Sequence, residues 1–442
     1  MREHLALRKS LAAVIVLTLV LTLAACGSGS SNPSEPGSSG TAGEPSGGSA
    51  SVDGGRSISV LYINDPQYWV DQAKEFEGQT GIKVNYVSVP FGQLHDTMVT
   101  AFTGGSSDYD VIHVKDDWVA EFASKGFLAP LDGQITDDMK AGIDANAFKP
   151  LMYDGQTYGV PRYIWLTQFY YNKEMFDKAG IAAPPATWDE FLQAALLLKE
   201  KGVATYPFAD VMTEKNAYAN FIVYLRSRGG EFWDYEKGVP TFNSPEGVKA
   251  LQFLADLNLK YKVMNPQSVV YEQNDTLDNF TQSKAAMIIN APHTFGQAND
   301  PKLSKIVGQA AVALIPGDKL KTASYAETGG LAIPANSKNK EAAMEYIRFV
   351  TSKEQEKEMA LATGRIPVNK DALNDAEVQT QNPHFAPIAE QLQYPYGIFH
   401  HEKATEITDT VSKYVSAAVA GRETPENALK DAEAEVLGII GK

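Results

Sequence analysis

A chain of 442 residues, 44% of them apolar, is long enough for two domains of ordinary size, and its single cysteine excludes a disulfide framework or a cysteine-based metal site. A net charge of −15 disfavours nucleic acid and anionic lipid as partners. The chain opens with the form of an export signal over residues 1–25. Arg2, Arg8 and Lys9 give a positive head, and residues 11–23 give an apolar run too short to span a bilayer comfortably. It ends in Leu23-Ala24-Ala25-Cys26, the pattern of a lipobox, whose small residues admit a signal peptidase and whose Cys26 thiol accepts a diacylglycerol.

Residues 26–55 are dominated by Gly, Ser and Pro, a composition that cannot bury enough apolar surface to order itself. We read them as a tether with a reach on the order of 30 Å, which would hold the remaining body just off a membrane.

From Ser57 the signals alternate between strand and helix. Residues 57–63 are β-rich, Asp65-Pro66 has the form of a cap with proline at the first helical position, and Trp69, Ala73 and Phe76 follow at helical spacing. Ile82, Val84 and Tyr86 alternate as a second strand, residues 92–103 predict a helix, and residues 110–114 predict a third strand. This βαβαβ order predicts an open, mainly parallel sheet with its ligand crevice beyond the carboxyl ends of the strands. Asn64 and Asp65, Phe91 and Gln93, and Asp116, Asp117 and Trp118 stand at those ends. Each of the polar ones also suits an ordinary cap or loop.

The middle of the chain is rich in helix signals. Thr187-Trp188-Asp189-Glu190 has the form of a capping box ahead of Phe191, Leu192, Ala195 and Leu196, with Gly202 as a stop. Ser244-Pro245 opens another helix, and residues 341–350 and 352–362 read as successive helices, the second with Ser352 and Gln355 in capping-box register. No internal repeat is present.

Six blocks then carry a family likeness: Phe122-Ala123-Ser124-Lys125-Gly126-Phe127-Leu128-Ala129-Pro130-Leu131; Asp154-Gly155-Gln156-Thr157-Tyr158-Gly159-Val160-Pro161; Tyr170-Tyr171-Asn172-Lys173-Glu174 with Pro185 and Thr187 to Phe191; Lys284-Ala285-Ala286-Met287; Gly329-Gly330-Leu331-Ala332-Ile333-Pro334 before Ser337; and Gly421-Arg422-Glu423-Thr424-Pro425-Glu426. In this order, over nearly the whole chain from Ile58 onward, they resemble the family 1 extracellular solute-binding proteins of ABC importers, the group that includes maltose-binding protein. The resemblance implies an α/β, two-lobed periplasmic-binding-protein-like fold of type II, each lobe a mainly parallel sheet flanked by helices, joined by hinge crossovers. One lobe would comprise residues 56–162 plus 316–350, the other 163–315 plus 351–442.

The likeness also implies a site between the lobes. It puts Asp117 and Trp118 at a ligand-contacting position, Trp165 on the crossing segment, and His293 and Phe295 on the loop after Ile289-Asn290. Asp117 is expected to accept from sugar hydroxyls and Trp165 to stack on a sugar face; a packed core indole is the alternative for Trp165. Maltose-binding protein carries tryptophan where this chain has His293, so the match does not extend to a maltodextrin ligand. Glu327, with Thr328 and Gly329, and Arg365 are further polar candidates, although each also suits a cap or a surface ion pair. Tyr394, Tyr396 and Phe399 form an aromatic cluster in a turn-rich loop. His400-His401-Glu402 invites a metal reading, but adjacent histidines point different ways and no further ligands stand at suitable spacing.

The expected function is therefore capture of a carbohydrate, a di- or oligosaccharide, at the extracytoplasmic face of a bacterial membrane. The chain would act as a lipid-anchored monomer without cofactor or catalysis and hand its ligand to an ABC permease. No P-loop GxxxxGK[ST] occurs in the chain, so the ATPase would be a separate subunit. A non-sugar cargo such as a polyamine or phosphate ester, service to a sensor kinase, and a secreted glycosidase are the rival readings. The last would need two carboxyl groups about 5 to 9.5 Å apart across the scissile bond.

Overall fold

Short runs rich in apolar and β-branched residues build β1 (Ser57–Ile63), β2 (Lys83–Val89) and β3 (Val111–Lys115), with α1 (Tyr68–Thr80) and α2 (Phe91–Thr103) between them, and β1 and β3 are buried along most of their length. In this computed structural model the described residues are 56–63, 67–143, 145–395 and 399–442. The signal, the tether and Cys26 lie outside the described residues, as do Asn64, Asp65 and Tyr396, and Phe91 is described by its backbone alone.

β1 pairs in parallel with β2 along its whole length and with β3 at Val60 and Leu61, the βαβαβ unit expected from the sequence. Trp69, Ala73 and Phe76 are buried, as their spacing predicts. The expected Asp65-Pro66 start lies outside the described residues, and the described helix has Gln67 at its N-cap. It stops at Gly81, whose positive φ of 73° lets its N–H reach Glu77 O.

The chain then changes sheets within a single residue. β4 (Gly159–Leu166) lies in a six-stranded sheet and β5 (Gln168–Asn172) in a four-stranded one, with only Thr167 between them. β6 (Phe208–Ala209), β7 (Met287–Asn290) and β8 (Ala310–Ala313) complete the smaller sheet, in the order β8-β5-β7-β6. β9 (Ala326–Ala332) and β10 (Ile366–Pro367) return to the larger sheet, whose order is β10-β4-β9-β3-β1-β2.

Both sheets are mixed, not mainly parallel. β9 runs antiparallel to β3 and β4, β10 is antiparallel to β4, and β5 is antiparallel to both of its neighbours. Strands that arrive by crossing from the other sheet enter against the direction of the βαβ strands, and direct adjacency of β4 and β9 requires no crossover helix.

Each sheet has its own core. One contains Val60, Leu61, Phe76, Ile112 and Phe122, the other Phe169, Trp188, Phe191, Phe208 and Phe221, and Trp165 packs against both. A third cluster joins Ile164, Leu166 and Ile366 to Ala360, Phe385 and Ile388. Thr187, Ser244 and Ser352 each accept a backbone N–H from the third residue of the helix that follows, so these caps stand where the sequence placed them. Among the described residues no helix is long and apolar enough to cross a membrane.

Candidate functional site

A cavity of about 620 Å³ lies between residues carried by the two sheets. His113, Lys115, Asp117, Trp118, Tyr163, Trp165, Glu327 and Arg365 line it from the larger sheet and its connections. Lys215, Asn216, Tyr218, Asn220, Glu272, Asn290, Phe399, Thr405, Thr408 and Asp409 line it from the smaller one. The helix Ala404–Val419 meets α3 (Asp116–Ser124) across the gap.

β3 runs directly into α3, which sets Lys115, Asp116 and Asp117 in a row at a strand end. Lys115 Nζ lies 2.9 Å from Asp117 Oδ2 and 3.0 Å from Glu327 Oε1, and the Tyr325 hydroxyl donates to the same Glu327 oxygen at 2.5 Å. Burial alone would lower the Lys115 pKa, but Asp117, Glu327 and Asp116 together raise it, so the ammonium is held charged. Asp117 lines the cavity, and its Oδ1 is buried with no hydrogen-bond partner among the described residues.

Asp116 has a different task from the one the sequence suggested. Its side chain is 1% exposed and stands behind the wall, where Oδ2 accepts from Thr328 N at 2.7 Å and Oδ1 from Asp117 N at 3.1 Å. It ties α3 to β9 and thereby fixes Asp117. Burial, with the negative Asp117 and Glu327 beside it, raises its pKa.

The aromatic surfaces come from β4 and its neighbours. Trp165 is half-buried and meets Tyr325 edge-on at 6.1 Å. The Tyr163 ring carries the Arg365 guanidinium 4.6 Å from its centre and stacks on His113 at 5.8 Å. Gly329 makes room for that ring, because a Cβ there would fall 2.5 Å from Tyr163 Cζ. His113 is kept neutral, its pKa pushed down to about 3 by burial and by Arg365 and Arg162. Trp118 lines the cavity but is only 8% exposed, with its ring and that of His95 in a T-shaped pair, so little of its surface is open.

Gln93, His293 and Phe295 are not among the lining residues. Gln93 is exposed on the first turn of α2. His293 precedes the short helix Thr294–Ala298, where desolvation and then the nearby Arg365 lower its pKa. Phe295 stacks on His384 at 4.4 Å and packs against the buried cluster around Tyr170 and Phe280.

Most residues of the opposite wall lie outside those that the sequence pattern singles out. Asn216 donates to Glu272 Oε2 at 2.9 Å, Asn220 donates to the buried Asp210, and Tyr218 accepts from Phe399 N at 3.0 Å. Burial raises the Asp409 pKa while Lys215 opposes it. Thr405, Thr408 and Asp409 share one helix face at i, i+3 and i+4, a polar stripe legible in the sequence. Nothing in sequence marks Tyr163, Lys115 or Tyr218.

Carboxylates, amides, hydroxyls and flat rings thus surround a polar space, and the cationic and anionic groups are largely paired with each other. Asp117 and Glu327 are both drawn to one lysine and not set against each other across a gap. Among the described residues no group of three or more His, Cys, Asp or Glu is arranged to hold a metal ion.

A family model described as bacterial extracellular solute-binding protein matches residues 62–357. The maltose-bound MalE3 of T. maritima superposes with a TM-score of 0.77 at 27% identity, covering 87% of this chain and 99% of that one. A solute-binding protein of an ABC transporter from Thermotoga lettingae, bound with alpha-D-tagatose, gives a TM-score of 0.76 at 28% identity over 87% and 99% of the two chains. The arabinooligosaccharide-binding protein of Bacillus subtilis is 26% identical over 84% of this chain and 89% of its own.

Proposed function

Because the chain belongs to the bacterial extracellular solute-binding proteins, a family of small-molecule binders that serve ABC importers outside the cytoplasm, we propose that its cargo is a carbohydrate, a di- or oligosaccharide. The observation that carries this reading is the cavity wall on which the Trp165 indole stands beside the Lys115, Asp117 and Glu327 cluster. A sugar offers apolar C–H faces to a ring and paired hydroxyls to fixed carboxylates. The ligands named for the T. maritima, T. lettingae and B. subtilis proteins, maltose, tagatose and arabinooligosaccharide, support the same class.

In this proposal Asp117 and Glu327 accept sugar hydroxyls, Trp165 stacks, and Trp118 and Arg365 complete the wall. The lobes are those built on the two sheets: the first crossing falls at Thr167, a few residues beyond the boundary at 162 expected from the sequence, and β10 (Ile366–Pro367) stands on the larger sheet although the expected boundaries gave it to the other lobe. Ligand that touches both lobes favours their closed arrangement, since only differential contact shifts such a balance. Closed protein then delivers sugar to the permease without altering it. Cys26 anchors the chain to the membrane by lipid, and the protein acts as a monomer.

The test is a thermal-shift screen against mono- and oligosaccharides, amines and metal ions, because a ligand of the folded state raises the melting temperature. A shift with a saccharide at micromolar to millimolar concentration is expected. A shift only with amines or metals overturns the sugar reading, and cleavage of a saccharide during incubation overturns the binding-only reading.

A further inference from the structure

Phe399 lines the cavity, and its surroundings continue outward as a bed of rings. Trp233 lies 4.7 Å from it, Phe232 5.1 Å, and Tyr235 6.4 Å with the planes 32° apart. Trp233 and Phe232 are buried, whereas Tyr235 is 62% exposed. The exposed ring is nevertheless held in place. Its hydroxyl oxygen accepts from His400 N at 3.2 Å, one residue from the cavity-lining Phe399. The turn that carries it is fixed by Asp234, whose Oδ1 accepts from both Glu236 N and Lys237 N at 3.0 Å.

A pinned aromatic face left in water is an arrangement that gains when something apolar covers it. The usual losses on binding are small there, because the ring has few torsions and its hydroxyl oxygen already accepts a backbone N–H. We infer that Tyr235 is an outer stacking platform, continuous with the cavity through Phe399, and that the favoured ligand is a saccharide chain with more rings than the cavity encloses. This rests on the carbohydrate reading above and adds a ligand length to it. The last ring of such a chain would lay its C–H face on Tyr235 while the leading rings occupy the space beside Trp165 and Asp117.

The test is calorimetric titration of the wild type, Tyr235→Ala and Tyr235→Phe with linear malto-, arabino- and chito-oligosaccharides of one to five rings. In the series that the wild type binds, affinity should step up once the chain outgrows the cavity. Tyr235→Ala should lose about three- to tenfold in affinity for the longer members and nothing for the shortest, on the scale of aromatic contacts, while Tyr235→Phe keeps most of the step. Equal affinities of wild type and Tyr235→Ala at every length overturn the platform. So does an equal loss at every length, which marks a purely structural role. A wild type that binds short chains with no step on lengthening overturns the platform alone, and a wild type that binds none of the series overturns it together with the carbohydrate reading.

Discussion

Thr167 and Tyr325 hold the two crossing segments side by side: Thr167 N donates to Tyr325 O at 2.9 Å, and Tyr325 N donates to Thr167 Oγ1 at 3.2 Å. Ser324 Oγ donates in turn to Thr167 O at 3.0 Å, so the point where the chain leaves one sheet is bonded to the point where it comes back. Both residues also line the cavity, which places the crossing under the proposed ligand.

Thr167→Val keeps the shape but removes the hydroxyl, leaving the buried Tyr325 N–H without this partner. The expected cost is about 1 to 3 kcal/mol of stability, read from denaturant unfolding. A variant with unchanged stability would show that the hydroxyl bonds at this crossing contribute nothing net.

Trp165 packs against both cores, so its removal has two consequences that must be separated. Trp165→Ala should weaken saccharide binding by 1 kcal/mol or more and lower stability by about 2 kcal/mol, because a large half-buried ring leaves a void at the junction. Trp165→Phe should recover most of the stability and part of the affinity. Calorimetry on both variants checks this, and unchanged affinity in the alanine variant removes the indole from the site.

The βαβαβ unit was legible because period-2 and helical apolar patterns report locally which face is buried, and the caps at Thr187, Ser244 and Ser352 because a side-chain oxygen reaching a backbone N–H is a short-range event. Asp117 and Trp118 were legible as residues at a strand end. What stayed hidden depends on chain segments far apart in sequence. The pairing of Lys115 with Glu327 spans more than two hundred residues, and the seat of Tyr163 depends on Gly329 in the neighbouring strand. Asp116 and Asp117 look alike in sequence, and only the approach of Thr328 N decides that one is buried and the other faces the cavity.

The Lys115 cluster predicts an asymmetry between two substitutions. Asp117→Asn keeps the shape but removes the charge that pairs with Lys115 and weakens the acceptor offered to ligand, so saccharide affinity should fall about tenfold or more with a small change in melting temperature. Lys115→Met leaves Asp117 and Glu327 facing each other with no cation between them. It should cost stability as well as affinity, on the order of 3 kcal/mol, the usual penalty for stranding partly buried charge. Equal effects of the two variants on stability would contradict this assignment.

Glu356 supplies the pH prediction. Its carboxyl group is wholly buried, Oε2 accepts from Asn369 N at 2.8 Å, Oε1 has no hydrogen-bond partner among the described residues, and burial pushes its pKa up to about 8. Below the ordinary glutamate value the group is protonated in folded and unfolded chain alike and contributes no pH dependence. Between that value and about pH 8 the unfolded chain sheds a proton that the folded chain keeps, so stability declines as pH rises, and above about pH 8 the loss is complete. The buried His113 and His384 and the half-buried His400, whose pKa values are pushed down to about 3, about 4 and about 4, act in the opposite sense: the unfolded chain takes up protons at acid pH that the folded chain refuses. The informative quantity is therefore the difference between wild type and Glu356→Gln, followed by thermal unfolding from pH 4 to pH 9. The variant should match or trail the wild type at the acid end and gain on it steadily through neutral pH, and a difference that stays flat across this range would refute the raised pKa.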